Sequence, residues 1–168
     1  SIGDGITENG RKVLMNEKPA GMARMVSVKA SGTFYGNLKS STGYMAVRWW
    51  DGSVSILGAG VATTQQIFTK ACPSTGDWSD SSPKEIYAWS CDSAGLQTGD
   101  LTYLTCHGNN LTSLDVSGLT ALTFLYCHTN NLTSLDVSGL TALTHLSCNT
   151  NNLTTLDVSG FTALTYLN

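Results

Sequence analysis

The chain has 168 residues, of which only 12% are charged, and a formal net charge of −3. All nine Lys and Arg lie at or before Lys84. A nucleic-acid binder needs cations to displace phosphate counterions, so the second half is unsuited to that role. No apolar run approaches the roughly 18 residues that cross a bilayer as a helix, which argues against membrane insertion, and the first residues, "SIGDGITENGRKVLMNEKPAG", carry no apolar h-region.

The first predicted elements are strands. "RMVSVKASG" alternates and reads as one strand. "GYMAVRWWDGSVSILG" reads as a β-hairpin over 44–57, with Asp51-Gly52 as a two-residue type I′ turn. That register sends Met45, Val47, Trp49, Val54 and Ile56 to one face. Tyr44, Arg48, Trp50, Ser53 and Ser55 go to the other. "ACPSTGDWSDSSPKE" is loop-like, since Pro73 and Pro83 oppose regular structure. Residues 1–85 are accordingly expected to form an N-terminal antiparallel β cap. A sharper reading makes this region a separate binding module with Arg48 and Trp50 exposed.

From Ile86 the pattern changes. "IYAWSCDSAGLQTGD" reads as a degenerate rung over 86–100, with Ile86, Trp89, Cys91 and Leu96 inward. Three gapless blocks of 21 residues follow, at 101–121, 122–142 and 143–163, and a partial one occupies 164–168. Each opens L-x-x-L-x-C-x-x-N-x-L, the pattern of the leucine-rich repeat. The longer string "LTSLDVSGLTALTxLxCxxN" resembles the short leucine-rich repeats of bacterial surface and phage-encoded proteins. The resemblance implies a right-handed solenoid over 86–168, β-dominated, with short parallel strands on a concave face and turns or short 3-10 segments on the convex face. It also implies an extracellular, cell-surface or virion-associated adhesion role, with a protein or glycan as ligand.

Strand alternation assigns the positions. Leu101, Leu104, Cys106 and Leu111 point inward, as do their equivalents, and Leu114, Val116 and Leu119 close the core. Asn109, Asn130 and Asn151 are placed to satisfy backbone groups where the chain leaves the strand. Cys91, Cys106, Cys127 and Cys148 are expected to stack as an inner column of free thiols, with Cys72 outside it. Adjacent strands hold Cβ atoms about 4.8 Å apart, wider than a disulfide prefers.

The Cys-His pairs invite a metal reading. A Cys and the His after it face opposite sides of a strand, and no C-x-x-C has zinc spacing, so no metal or cofactor is expected. Asp115, Asp136 and Asp157 sit in D-V-S-G segments that read as Asx-turns rather than calcium ligands. No Ser-His-Asp set has a reason to converge, so no catalytic residues are expected. The columns Thr102, Thr123, Thr144, Thr165 and Thr112, Thr133, Thr154 raise ice binding as a third class of function.

The blocks differ at six of 21 positions, and four of these lie at strand positions three, five, seven and eight. Position three holds Tyr103, Phe124, His145 and Tyr166, and position five Thr105, Tyr126 and Ser147. Position seven holds His107, His128 and Asn149, and position eight Gly108, Thr129 and Thr150. The residues at three, five and seven form the candidate ligand-binding face, because Tyr and His supply contact area with polar handles. The expected function is non-enzymatic recognition on that face. The alternative is a structural spacer that self-associates end to end, with Leu164 and Leu167 near an open end.

Overall fold

Short alternating segments broken by glycine-bearing turns become strands here, and the described residues contain no helix. The computed structural model describes residues 7–8, 11–12, 18, 20–74 and 79–168. Most of the first 19 residues of the expected cap, and residues 75–78 of the expected loop, thus lie outside the described residues.

A short antiparallel pair, β1 (Thr7–Glu8) and β2 (Arg11–Lys12), precedes two larger sheets. The first sheet has five strands, all antiparallel: β3 (Met22–Ser27), β5 (Tyr44–Arg48), β6 (Val54–Gly58), β8 (Lys84–Cys91) and β10 (Leu111–Asp115), in the order β10-β3-β8-β5-β6. The second is mixed and has six: β4 (Thr33–Ser40), β7 (Gln66–Ala71), β9 (Leu101–Thr105), β11 (Phe124–Tyr126), β12 (His145–Ser147) and β13 (Tyr166–Leu167). Its order is β13-β12-β11-β9-β4-β7, with β9, β11, β12 and β13 parallel and β4 and β7 antiparallel.

This arrangement corrects the expectation of a parallel-strand leucine-rich solenoid closed by a separate β cap. The chain is all-β, with two sheets packed together. Both sheets draw strands from the region before Ile86 and from the repeats. The physical reason lies at the first repeat. Its strands need backbone partners on the side away from the second repeat. β4 supplies them to β9 and β3 supplies them to β10. Nor is 86–100 a rung, because β8 lies antiparallel between β3 and β5, and Leu96 is 69% exposed.

The core is one cluster shared by both regions. Met25, Phe34, Leu38, Met45, Val47, Trp49, Phe68 and Ile86 pack in the same cluster as the Leu and Cys columns of the repeats. Leu38, Leu104, Leu125 and Leu146 lie in register across four strands, all fully buried. Burying each such leucine contributes about 1.5–3 kcal/mol relative to exposure. Phe34, Trp49 and Phe68 meet at centroid distances of 6.0–6.1 Å. Trp50 joins the same cluster.

The hairpin forms, one residue out of the expected register. Arg48 pairs with Val54, and the Trp49 N–H donates to the Ser53 carbonyl at 2.9 Å. Three residues rather than two therefore make the turn, and Gly52 takes its left-handed position at φ +83°. Three-residue hairpins place glycine there. One residue of slip exchanges faces. Val54 and Ile56 consequently lie outward, 51% and 48% exposed, while Arg48 and Trp50 are buried. That removes the exposed Arg48-Trp50 surface on which the binding-module reading of the N-terminal region rested.

An asparagine ladder ties the sheet together. Asn130 Oδ1 accepts the N–H groups of Asn109 and Leu111, each at 3.0 Å. Its Nδ2 donates to the carbonyls of Cys106 and Cys127. Asn151 repeats this one strand on, with Leu132 N–H and the Cys127 and Cys148 carbonyls. Asn109 has no repeat before it, and β4 stands in: Tyr35 N–H donates to Asn109 Oδ1, and Asn109 Nδ2 donates to the Tyr35 carbonyl.

Candidate interaction face

The outer face of the six-stranded sheet gathers the residues by which the repeats differ. Strand register alone builds its rows. Lys39, Tyr103, Phe124, His145 and Tyr166 are successive partners across β4, β9, β11, β12 and β13. Ile67, Asn37, Thr105, Tyr126 and Ser147 form the next row. Beyond the strand ends, His107 and His128 stack at 4.5 Å, and Tyr35 meets the His107 edge at 6.4 Å.

The first row is a continuous ring stack. Centroids lie 5.2 Å apart for Tyr103–Phe124, 4.0 Å for Phe124–His145 and 5.9 Å for His145–Tyr166, with interplanar angles of 29°, 9° and 22°. Lys39 Nζ sits 5.3 Å from the Tyr103 centroid. Tyr126 bridges the rows, tilted against Phe124 and Tyr166. Within the stack the ring faces cover one another, leaving edges and polar atoms for a partner. That geometry does not offer the bare ring faces on which a sugar stacks.

Not every candidate residue is equally available. Thr105 and Ser147 lie in the second row but are only 3% and 4% exposed. Thr105 Oγ1 accepts Asn37 N–H, and the Ser147 hydroxyl donates to Asn149 Oδ1. Tyr103, His107, Phe124, Tyr126, His128 and His145 are half-buried, and Asn149 and Tyr166 are exposed. Sequence reasoning missed the contribution of β4 and β7, namely Tyr35, Asn37, Lys39 and Ile67. The alternation in "TFYGNLKS" was a usable strand signal for β4, but nothing in it indicated pairing with the first repeat.

The electrostatics follow from burial and neighbours. Burial first, and then the charge of His107, push the His128 imidazole below its usual value. Burial, with Tyr126 adding to it, raises the Tyr103 phenol. His145 Nδ1 lies 2.9 Å from Thr144 Oγ1, whose hydroxyl hydrogen goes to the Thr123 carbonyl. Thr144 therefore accepts, so the neutral His145 carries its proton on Nδ1 and leaves Nε2 as an acceptor.

The inner face is thiol and leucine. Cys106, Cys127 and Cys148 are free and buried under their repeats. Burial pushes the Cys106 thiol up to about 12 and raises Cys127 and Cys148 as well, so all three are poor nucleophiles. Cys91 is free and buried but is not part of this column. It belongs to a second cluster with Met22, Ala46, Tyr87 and Trp89. Cys72 is half-buried, its thiol 3.6 Å from the Lys29 carbonyl.

The other columns have local roles. Asp115, Asp136 and Asp157 each accept the N–H of the serine two residues on, at 2.8–2.9 Å. Among the described residues no group of three or more His, Cys, Asp or Glu is placed to hold a metal. The hydroxyls of Thr123, Thr144 and Thr165 each donate to the carbonyl 21 residues earlier, so that column spends its hydrogens inside the sheet rather than on ordered water.

No family profile and no curated protein matches this chain. Among solved structures, part of the chain is similar to the functional domain of InlJ from Listeria monocytogenes, a leucine-rich repeat protein whose structure is described as including a cysteine ladder. The two are 45% identical over 44% of this chain and 18% of that one, with a TM-score of 0.37. This chain thus spans less than a fifth of that structure's length.

Proposed function

We propose that this protein is a non-enzymatic recognition module that binds a partner protein on the outer face of its six-stranded sheet, in a cell-surface or virion-associated setting. The observation that carries this reading is the coincidence of variation with one face. Blocks otherwise identical at 15 of 21 positions place Tyr, Phe, His and Asn variation there, and β4 extends the same face with Tyr35, Asn37 and Lys39. Side chains with contact area and a polar edge are what protein interfaces enrich. The covered ring faces favour a protein over a glycan.

A random peptide-display selection on the immobilised protein, run beside a glycan array, tests this. The expected result is peptide enrichment whose binding falls at least tenfold in Tyr126→Ala, as for a central interface aromatic. Selected peptides that bind Tyr126→Ala and Phe124→Ala as well as the parent, or enrichment of glycans alone, would move the function away from this face.

A further inference from the structure

The charges around this face are one-sided. The strands β4, β7, β9, β11, β12 and β13 contain no Asp or Glu at all, in a chain whose net charge is −3. The described carboxylates lie elsewhere. Asp51 pairs with Lys70 at the hairpin turn, and Glu85 pairs with Arg24 in the other sheet. Asp115, Asp136 and Asp157 close their Asx-turns. Around the face itself the charged or chargeable groups are Lys39 over Tyr103, Lys29 bonded to the Gly108 carbonyl, and His107, His128 and His145. The tyrosines Tyr35, Tyr103, Tyr126 and Tyr166 complete the titratable set there.

We propose, resting on the reading of this face as a protein-binding surface, that the partner segment is acidic and that it is held more tightly as pH falls. The lysines give the face positive potential at neutral pH, and complementary potential sets partner choice. Protonation of the neutral His145 adds a proton at Nε2, turning an acceptor on the ring edge into a cationic donor suited to a carboxylate. His128 adds a second charge at lower pH, since burial and His107 hold its imidazole down. A carboxylate partner favours both protonated forms, so binding strengthens below about pH 6.5 and levels off once both are charged. Nucleic acid is disfavoured, because two lysines at one face are few for a phosphate backbone.

The test uses fluorescein-labelled peptides of alternating Asp-Tyr, Asn-Tyr and Lys-Tyr, titrated with the whole chain by anisotropy near pH 7.5 and pH 5.5, where Asp stays ionised. The Asp-Tyr peptide is expected to bind about tenfold tighter than Asn-Tyr and to gain about fivefold more at the lower pH. Lys39→Gln should shrink the first difference, and His145→Gln the second, with unchanged circular dichroism. If Asn-Tyr binds equally well at both pH values and loses affinity in Tyr126→Ala, the face is a protein surface but the acidic partner is wrong. Failure of the Asp-Tyr peptide to bind, or stronger binding to a heparin oligosaccharide or to oligo-dT, overturns this inference and leaves the display selection to judge the face itself.

Discussion

The first and third repeats have 15 of 21 residues in common, yet they behave differently. In the first, Leu111, Leu114, Val116 and Leu119 are buried and Leu111–Asp115 is a strand. In the third, the equivalent Leu153, Leu156, Val158 and Phe161 are only partly buried, and residues 153–157 form no strand. The middle repeat separates the two effects. Leu132, Leu135, Val137 and Leu140 are buried, but residues 132–136 are again not a strand. Burial thus requires a flanking repeat, whereas strand formation on this side requires β3. The same residues are strand or irregular according to what lies beside them.

That comparison can be broken most sharply in the leucine column. Leu104 lies between Leu38 and Leu125 and is fully buried, whereas Leu167 is 50% exposed. Leu104→Ala should cost about 3–5 kcal/mol, because surrounding strands prevent collapse of the cavity. Leu167→Ala should cost about 1 kcal/mol or less. Urea denaturation of both variants measures the gap, and equal losses would mean the edge is covered in solution.

The asparagines give the next effect. Asn130→Ala leaves the Asn109 and Leu111 N–H groups without an acceptor in the buried interior, for a loss of about 2–4 kcal/mol. Asn151→Ala should cost roughly half as much, since Asn151 is half-buried and water can replace its bonds. Thermal unfolding should rank the two in that order.

A smaller change of opposite sign is expected at position eight. Gly108 adopts φ +68°, and Thr129 and Thr150 adopt φ 56° and 54° in the same place. A left-handed β-branched residue is strained. Thr129→Gly should stabilise by about 0.5–1 kcal/mol, and Gly108→Thr should destabilise by about 1 kcal/mol. A destabilised Thr129→Gly would show that its contact with His128 outweighs the strain.

The aspartates sharpen the same contrast. Burial of Asp115 opposes ionisation, but Ser117 and Lys18 outweigh it and hold the carboxyl low. Asp157 is held low by Ser159, without a lysine. A depressed carboxyl contributes stability above its unfolded pKa and loses it as pH falls through the folded value. Asp115→Asn should therefore lower the melting temperature more than Asp157→Asn at pH 7, and the difference should vanish near pH 2. The smallest effect belongs to Tyr126→Ala, within about 0.5 kcal/mol in stability although large for binding.

Much was legible in the sequence because it rests on local geometry. The 21-residue period placed Leu104, Leu125 and Leu146 inward and Tyr103, Phe124 and His145 outward, since alternation on a strand needs no knowledge of partners. The asparagine and Asx-turn roles were legible for the same reason: their hydrogen bonds run to neighbours fixed by the repeat. The architecture was decided by tertiary structure. Nothing in "TFYGNLKS" or "RMVSVKASG" specifies pairing with Leu101–Thr105 or Leu111–Asp115, because backbone hydrogen bonds are blind to side-chain identity and register is selected by which faces can be buried together. Cys91 shows the limit. It continues the spacing of the thiol column in sequence, but Lys84–Cys91 is buried on both sides of the sheet between β3 and β5, and its burial there outweighs the weak repeat pattern. The hairpin erred for a similar reason: Trp49 is buried in the shared core only in the three-residue register, and that core contains residues far away in the chain.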